Sequence, residues 1–185
     1  PMDTFMEQEH PWLVLEKKAI REYVLNLKKP FLGFCLGCQL LGEVLGGRVV
    51  SSEPPEIGVL DINIIDDAKQ DPVFNFLPNS IKALQWHSYE VQGLETIDGV
   101  EVIGSSPSTK YQIFGYNNHA YGIQFHIEIR KSTVDDWAAV PEYKNALEQS
   151  LGKEALPEMK NSVNQEIDTM MQQCNQLYKN FINII

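Results

Sequence analysis

Residues Lys29 to Gly47 read KPFLGFCLGCQLLGEVLGG, and this stretch limits the fold more than any other. A short apolar run, Phe31 to Phe34, has the character of a buried strand. From Cys35 to Leu45 the pattern turns helical, and Gly46-Gly47 supplies a stop. A strand that passes into a helix within one residue needs a sharp bend, and the bend falls on Cys35. Small residues are then expected two positions to either side, and Gly33 and Gly37 stand there. The result is G-x-C-x-G, the cysteine form of a nucleophile elbow. Such a turn exposes its side chain at the carboxyl end of a strand, where open α/β sheets bind ligands.

Cys38 leaves a second reading open, because Cys35 and Cys38 also form a C-x-x-C pair at a helix start, the setting of thioredoxin-like redox motifs. A zinc site needs two further ligands, and only Cys174 and scattered histidines remain. The elbow reading uses more residues. A nucleophilic thiol needs a base and the base an orienting group. The segment Tyr121 to Glu128, YGIQFHIE, offers His126 and Glu128 two residues apart, so both leave one face of an extended backbone. Cys35, His126 and Glu128 outline a triad.

The chain before the elbow, Pro11 to Leu27, is predicted as a helix with Trp12, Leu15, Ala19, Tyr23 and Leu27 on its core face. The middle is rich in strands: VLDINII, SIKALQW and VEVIGSS, then a hairpin around Asn117-Asn118. Past Glu128 three helices are expected. The first has Ser132 or Thr133 as its cap, the second has Pro141 in its first turn, and the third carries an apolar stripe through Val163, Ile167, Met170 or Met171, Cys174, Leu177, Tyr178 and Phe181. Strand–helix units followed by strands and further helices predict a three-layer α/β protein.

The 185 residues suffice for one ordinary domain, and 22% charged and 43% hydrophobic residues are usual for a globular chain. A formal charge of −10 argues against nucleic acid, which demands a basic face. No apolar run approaches the roughly 20 residues that cross a bilayer. Three cysteines without framework spacing suit a reducing compartment, so a cytoplasmic protein is expected.

Three motifs in order, GFCLGCQLLGEVLGG, QWHSYEV and GIQFHIE, with PPEIG between the first two, resemble the class I, triad-type glutamine amidotransferases. The similarity is greatest to the glutaminase domain of GMP synthetases and covers Pro1 to about Arg130. It implies a flavodoxin-like, open, mostly parallel sheet with flanking helices and an added antiparallel hairpin region. Residues 1–185 would form one domain, with a core over 1–130 and a helical tail over 131–185. A strand–helix–strand unit and a glycine-rich oxyanion loop of the family would fall before Pro1. The resemblance makes Cys35 the nucleophile, His126 the base and then acid, Glu128 the orienter and the Leu36 amide an oxyanion donor. Gln39, Trp86, Ser88 and Tyr89 would hold the amino-acid end of glutamine. Cys38 occupies a place often held by His, which makes it a bystander, and Ile127 replaces the usual Pro. No metal or organic cofactor is implied. The partners implied are glutamine, or another γ-glutamyl compound, and an ammonia-accepting synthetase subunit. Hydrolysis or transpeptidation of other γ-glutamyl compounds and a catalytically silent binding module of the same fold are the alternatives.

Overall fold

The computed structural model describes residues 2–185. Helix α1 (Trp12–Arg21) continues as a π-helical turn over Glu22–Asn26. Strand β1 (Phe31–Phe34) leads into α2 (Leu36–Leu45), which ends on left-handed Gly46 at φ 109°. Strands β2 (Arg48–Ile64) and β3 (Ser80–Gln92) form a long antiparallel pair, and β4 (Val100–Ser105), β5 (Ile113–Tyr116) and β6 (Ala120–Ile123) follow. Helices α3 (Thr133–Ala138), α4 (Pro141–Leu151) and α5 (Ala155–Ile182) close the chain.

The six strands lie in the order β1-β6-β5-β4-β2-β3. Only β1 and β6 run parallel among the described residues; the remaining pairs are antiparallel. The α/β class, the flanking helices and the hairpin region match the sequence reading, while the expected predominance of parallel pairing is corrected. Parallel neighbours need a long crossover connection, and β2 to β6 follow one another without a helix of that kind. The sheet also curls. Leu84 of β3 makes an antiparallel bridge with His126, just past β6, so the far edge strand returns toward the strand end that carries the histidine.

Helices cover both faces. On one side Leu13, Ile20 and Val24 of the first helical segment pack with Cys38, Leu41 and Val44 of α2 against Phe114 and Ala120. On the other, Met159, Val163, Ile167, Met170, Leu177 and Phe181 of α5 cover Tyr121, Ile123 and strands β2 and β3. Neighbours Ile113 and Phe114 fall in opposite clusters, as the two-residue period of a strand requires.

The predicted core face of α1 is corrected. Trp12, Leu15, Ala19, Tyr23 and Leu27 are exposed, and Leu15 keeps 66% of its surface. The helix has two apolar stripes, and the one that contains Leu13, Ile20 and Val24 meets α2. On α5 the expected stripe is buried at its centre, but Met171 and Tyr178 face outward. The hairpin turn is as expected: Asn117 and Asn118 both take positive φ, 49° and 55°, which Asn tolerates. Ser132 precedes α3 without a side-chain cap; Thr133 Oγ1 instead accepts the Arg130 amide at 2.9 Å. Among the described residues no helix is long and apolar enough to cross a membrane.

Candidate active site

The bend between β1 and α2 is a true elbow. Cys35 has φ 46° and ψ −102°, a conformation that costs a residue with a side chain on the order of 1–3 kcal/mol. Its amide donates to the Ile123 carbonyl at 2.8 Å, which ties the elbow to the end of β6. A Cβ on Gly33 would come within 2.5 Å of the Gly37 backbone, so position 33 admits only glycine at this backbone spacing. Gly37 itself is different. A Cβ there meets nothing within 4 Å, and the expectation that the elbow sterically requires a glycine at 37 is corrected. The crowding acts in one direction, from the Gly37 backbone onto position 33.

Cys38 turns away from the elbow into the core. It is fully buried, and a Cβ on Gly122 would lie 3.0 Å from its sulfur. Burial first, and the neighbouring Cys35 second, push its thiol well above the usual range. All three cysteines are free.

His126 sits three residues beyond β6, where its amide and carbonyl pair with Leu84 of β3 at 2.9 and 3.1 Å. Its Nδ1 lies 2.5 Å from Glu128 Oε1, while Glu128 Oε2 accepts the Ile127 amide at 3.0 Å. Ile127 is buried and supplies this amide, which a proline at that position could not. Burial works against charge on His126, but hydrogen bonds to Cys35 and Glu128 and attraction to both outweigh it. The imidazole is pushed up to about 10. Trp137 of α3 packs edge-on against the ring at 4.8 Å between centroids. The structure therefore brings Cys35, His126 and Glu128 together.

In front of Cys35 lies a cavity of about 410 Å³. Leu36, Gln39, Trp86, Ser88 and Tyr89 all line it, so every residue predicted to hold substrate borders the same space as the thiol. Gln39 is buried and donates to the Tyr89 carbonyl at 3.1 Å and to Gln124 Oε1 at 3.2 Å. Gln124 Nε2 in turn points at Cys35 Sγ from 3.7 Å. The Trp86 indole N–H is buried without a partner. Asp3 and Glu142 add carboxyl groups to the lining, and burial raises that of Asp3. A larger cavity of about 590 Å³, near Asp71 and Glu101, has no nucleophile in its lining. Among the described residues no three His, Cys, Asp or Glu side chains group as metal ligands would.

Several residues at this site escape a reading of the sequence. Gln124 lies inside the GIQFHIE motif itself, two residues before the histidine, and that motif is the signal that could have found it. Trp137 and Tyr143, which stack on each other at 5.9 Å and both meet Trp86, belong to helices expected only as a tail.

Known proteins agree with this geometry. The family model described as glutamine amidotransferase class-I matches residues 6–137. One of the two components of the glutamine-hydrolysing GMP synthase of Sulfolobus acidocaldarius is 38% identical over 110 residues, 59% of this chain and 56% of that protein. The glutamine-hydrolysing GMP synthase of Thermosipho melanesiensis is 38% identical over 122 residues, 64% of this chain and 23% of that protein. The chain thus spans about half the length of the first of these relatives and less of the second. Among solved structures, a glutamine amidotransferase from Thermotoga maritima superposes with a TM-score of 0.82 at 27% identity, covering 98% of this chain and 74% of that one. With the family matched over most of its length and the fold matched over nearly all of it, the chain belongs to the class I glutamine amidotransferases.

Proposed function

We propose that the protein hydrolyses the side-chain amide of glutamine, with Cys35 as nucleophile, and delivers ammonia to a synthetase partner. The observation that carries this reading is the relay at the elbow: Cys35 is hydrogen-bonded to His126, and Glu128 holds the other side of that imidazole. In the first half-reaction the Cys35 sulfur attacks the carboxamide carbon. The oxygen takes up negative charge beside the Leu36 amide at the start of α2, where the helix N-terminus favours an anion. Collapse breaks the C–N bond, and His126 gives its proton to the departing nitrogen, leaving a γ-glutamyl thioester and ammonia. Water then attacks the thioester, His126 takes its proton, and glutamate leaves with the thiol restored.

Gln39 and the Trp86–Tyr89 segment hold the amino-acid end of the substrate, and the carboxylates of Asp3 and Glu142 suit its ammonium group. Residues 1–185 act as one cytoplasmic domain, the helical tail contributing Trp137 and Tyr143 to the site. The partner is assigned from the relatives: the Sulfolobus acidocaldarius protein is named as one subunit of a glutamine-hydrolysing GMP synthase.

Glutamate release from glutamine, measured with and without a synthetase partner of the GMP-synthase type, tests the proposal. Release that disappears in Cys35→Ala supports it. No release in either condition, with Cys35 reduced, overturns it.

A further inference from the structure

Behind the cavity a ring of buried polar groups closes on itself. Glu56 of β2 stands directly across from His87 of β3 in the antiparallel register, and both are deeply buried, at 4% and 5% exposure. His87 Nε2 lies 3.3 Å from Glu56 Oε2, an ion-pair contact rather than an aligned hydrogen bond. Its Nδ1 lies 2.9 Å from the Tyr89 carbonyl, which can only accept, so Nδ1 carries a proton. The same carbonyl accepts from Gln39, and Gln39 also donates to Gln124. The Gln124 amide donates to the Gln112 carbonyl at 2.8 Å, and Gln112 Nε2 returns to Glu56 Oε2 at 2.6 Å. Ser106 Oγ donates to the other Glu56 oxygen at 2.6 Å.

Two side chains of this ring, Gln39 and Gln124, reach the reaction: one borders the cavity and the other points at the Cys35 sulfur. Glu56 and His87 reach it only through others. Burial raises the Glu56 carboxyl, yet its bonds from His87, Ser106 and Thr109 prevail and hold it below the ordinary range. A buried ion pair of this kind adds little net stability over an apolar pair of equal size, so the ring needs a reason beyond folding energy.

We propose that Glu56 and His87 are positioning residues for the chemistry at Cys35: through the Tyr89 carbonyl on one arm and Gln112 on the other, they fix the amides of Gln39 and Gln124 against substrate and nucleophile. The inference rests on the glutaminase reading and adds to it a pair that never touches glutamine. Losing the Glu56 charge leaves Gln112 and His87 facing a poorer acceptor, and both arms loosen.

Two labelling rates at Cys35 test this: one with a chloroketone analogue of glutamine, which uses the amino-acid end, and one with iodoacetamide, which does not. In Glu56→Gln the ratio of the first rate to the second falls by about tenfold, KM for glutamine rises, and Glu56→Asp restores part of both. Should Glu56→Gln fail to fold, Ser106→Ala removes a single bond to Glu56 and is read in the same way. A ratio that drops by about threefold or more supports the inference; a smaller change overturns it. Wild-type Cys35 that ignores the chloroketone removes the glutaminase reading and this inference together. Selective wild-type labelling with an unchanged ratio in the variants removes this inference alone.

Discussion

A methyl group added to Gly33 would collide with the backbone of Gly37 at 2.5 Å, yet one added to Gly37 would touch nothing within 4 Å. The two glycines that frame Cys35 are therefore not equivalent. Gly33→Ala is expected to destabilise the protein by about 1–3 kcal/mol, because backbone cannot yield as a flexible side chain can. Gly37→Ala lies in α2 with open space around it, and alanine favours a helix by about 1 kcal/mol over glycine. Thermal unfolding of the two variants should shift in opposite directions.

The elbow stores strain in the residue that does the chemistry. Cys35→Gly relieves φ 46° and should raise the unfolding free energy by about 1 kcal/mol or more while glutamate release disappears. Cys35→Ser keeps the strain and should fold like the wild type, with turnover reduced at least about 10³-fold. Denaturant unfolding paired with glutamate assays checks both outcomes.

His126 links stability to pH. Its folded value, pushed up to about 10 from an ordinary 6.5, means that the imidazolium is favoured in the folded state. The stabilisation is fully present below pH 6.5 and is lost as the pH rises toward and through 10. Wild-type protein should therefore lose stability from neutral pH to about pH 10 more steeply than Glu128→Gln, which lacks one of the two charged partners. Unfolding free energies measured across that range check the slope. The same variant should lower kcat by about 10²-fold or more, since the imidazole loses its orienting carboxylate.

Trp137 is a wall for the catalytic ring, with centroids 4.8 Å apart. Trp137→Ala should cost about 2–3 kcal/mol, less than a fully buried Trp because the side chain is only partly covered. It should also reduce kcat more than it raises KM, because the imidazole is freed while the cavity-lining residues are not. Trp137→Phe should recover most of both. Steady-state kinetics and thermal melts separate the two effects.

What the sequence discloses and what it hides follow from the range of the forces involved. The elbow, the stop at Gly46 and the Asn117-Asn118 turn are set by conformational preferences of one or two residues, and each lies where local reasoning puts it. The buried face of α1 is not decided locally: Leu13, Ile20 and Val24 compete with an equally apolar stripe, and only contact with α2 chooses between them. Glu56 sits within PPEIG, yet nothing nearby in the chain gives it a role. Its link to His87 depends on the register of β2 against β3 after an irregularity between Ser51 and Glu56, which no local pattern encodes. Trp137 and Tyr143 carry no motif at all; their place beside His126 and Trp86 comes from how the last helices cross the curled sheet.

Strand β1 pairs with β6 from Phe31↔Ala120 to Phe34↔Ile123, and His126 follows only three residues later. Nucleophile and base are thus mounted on adjoining planks, fastened again where the Cys35 amide meets the Ile123 carbonyl. When outer strands breathe or loops shift, sulfur and imidazole should travel as one unit, so their spacing survives motions that reshape the substrate's surroundings.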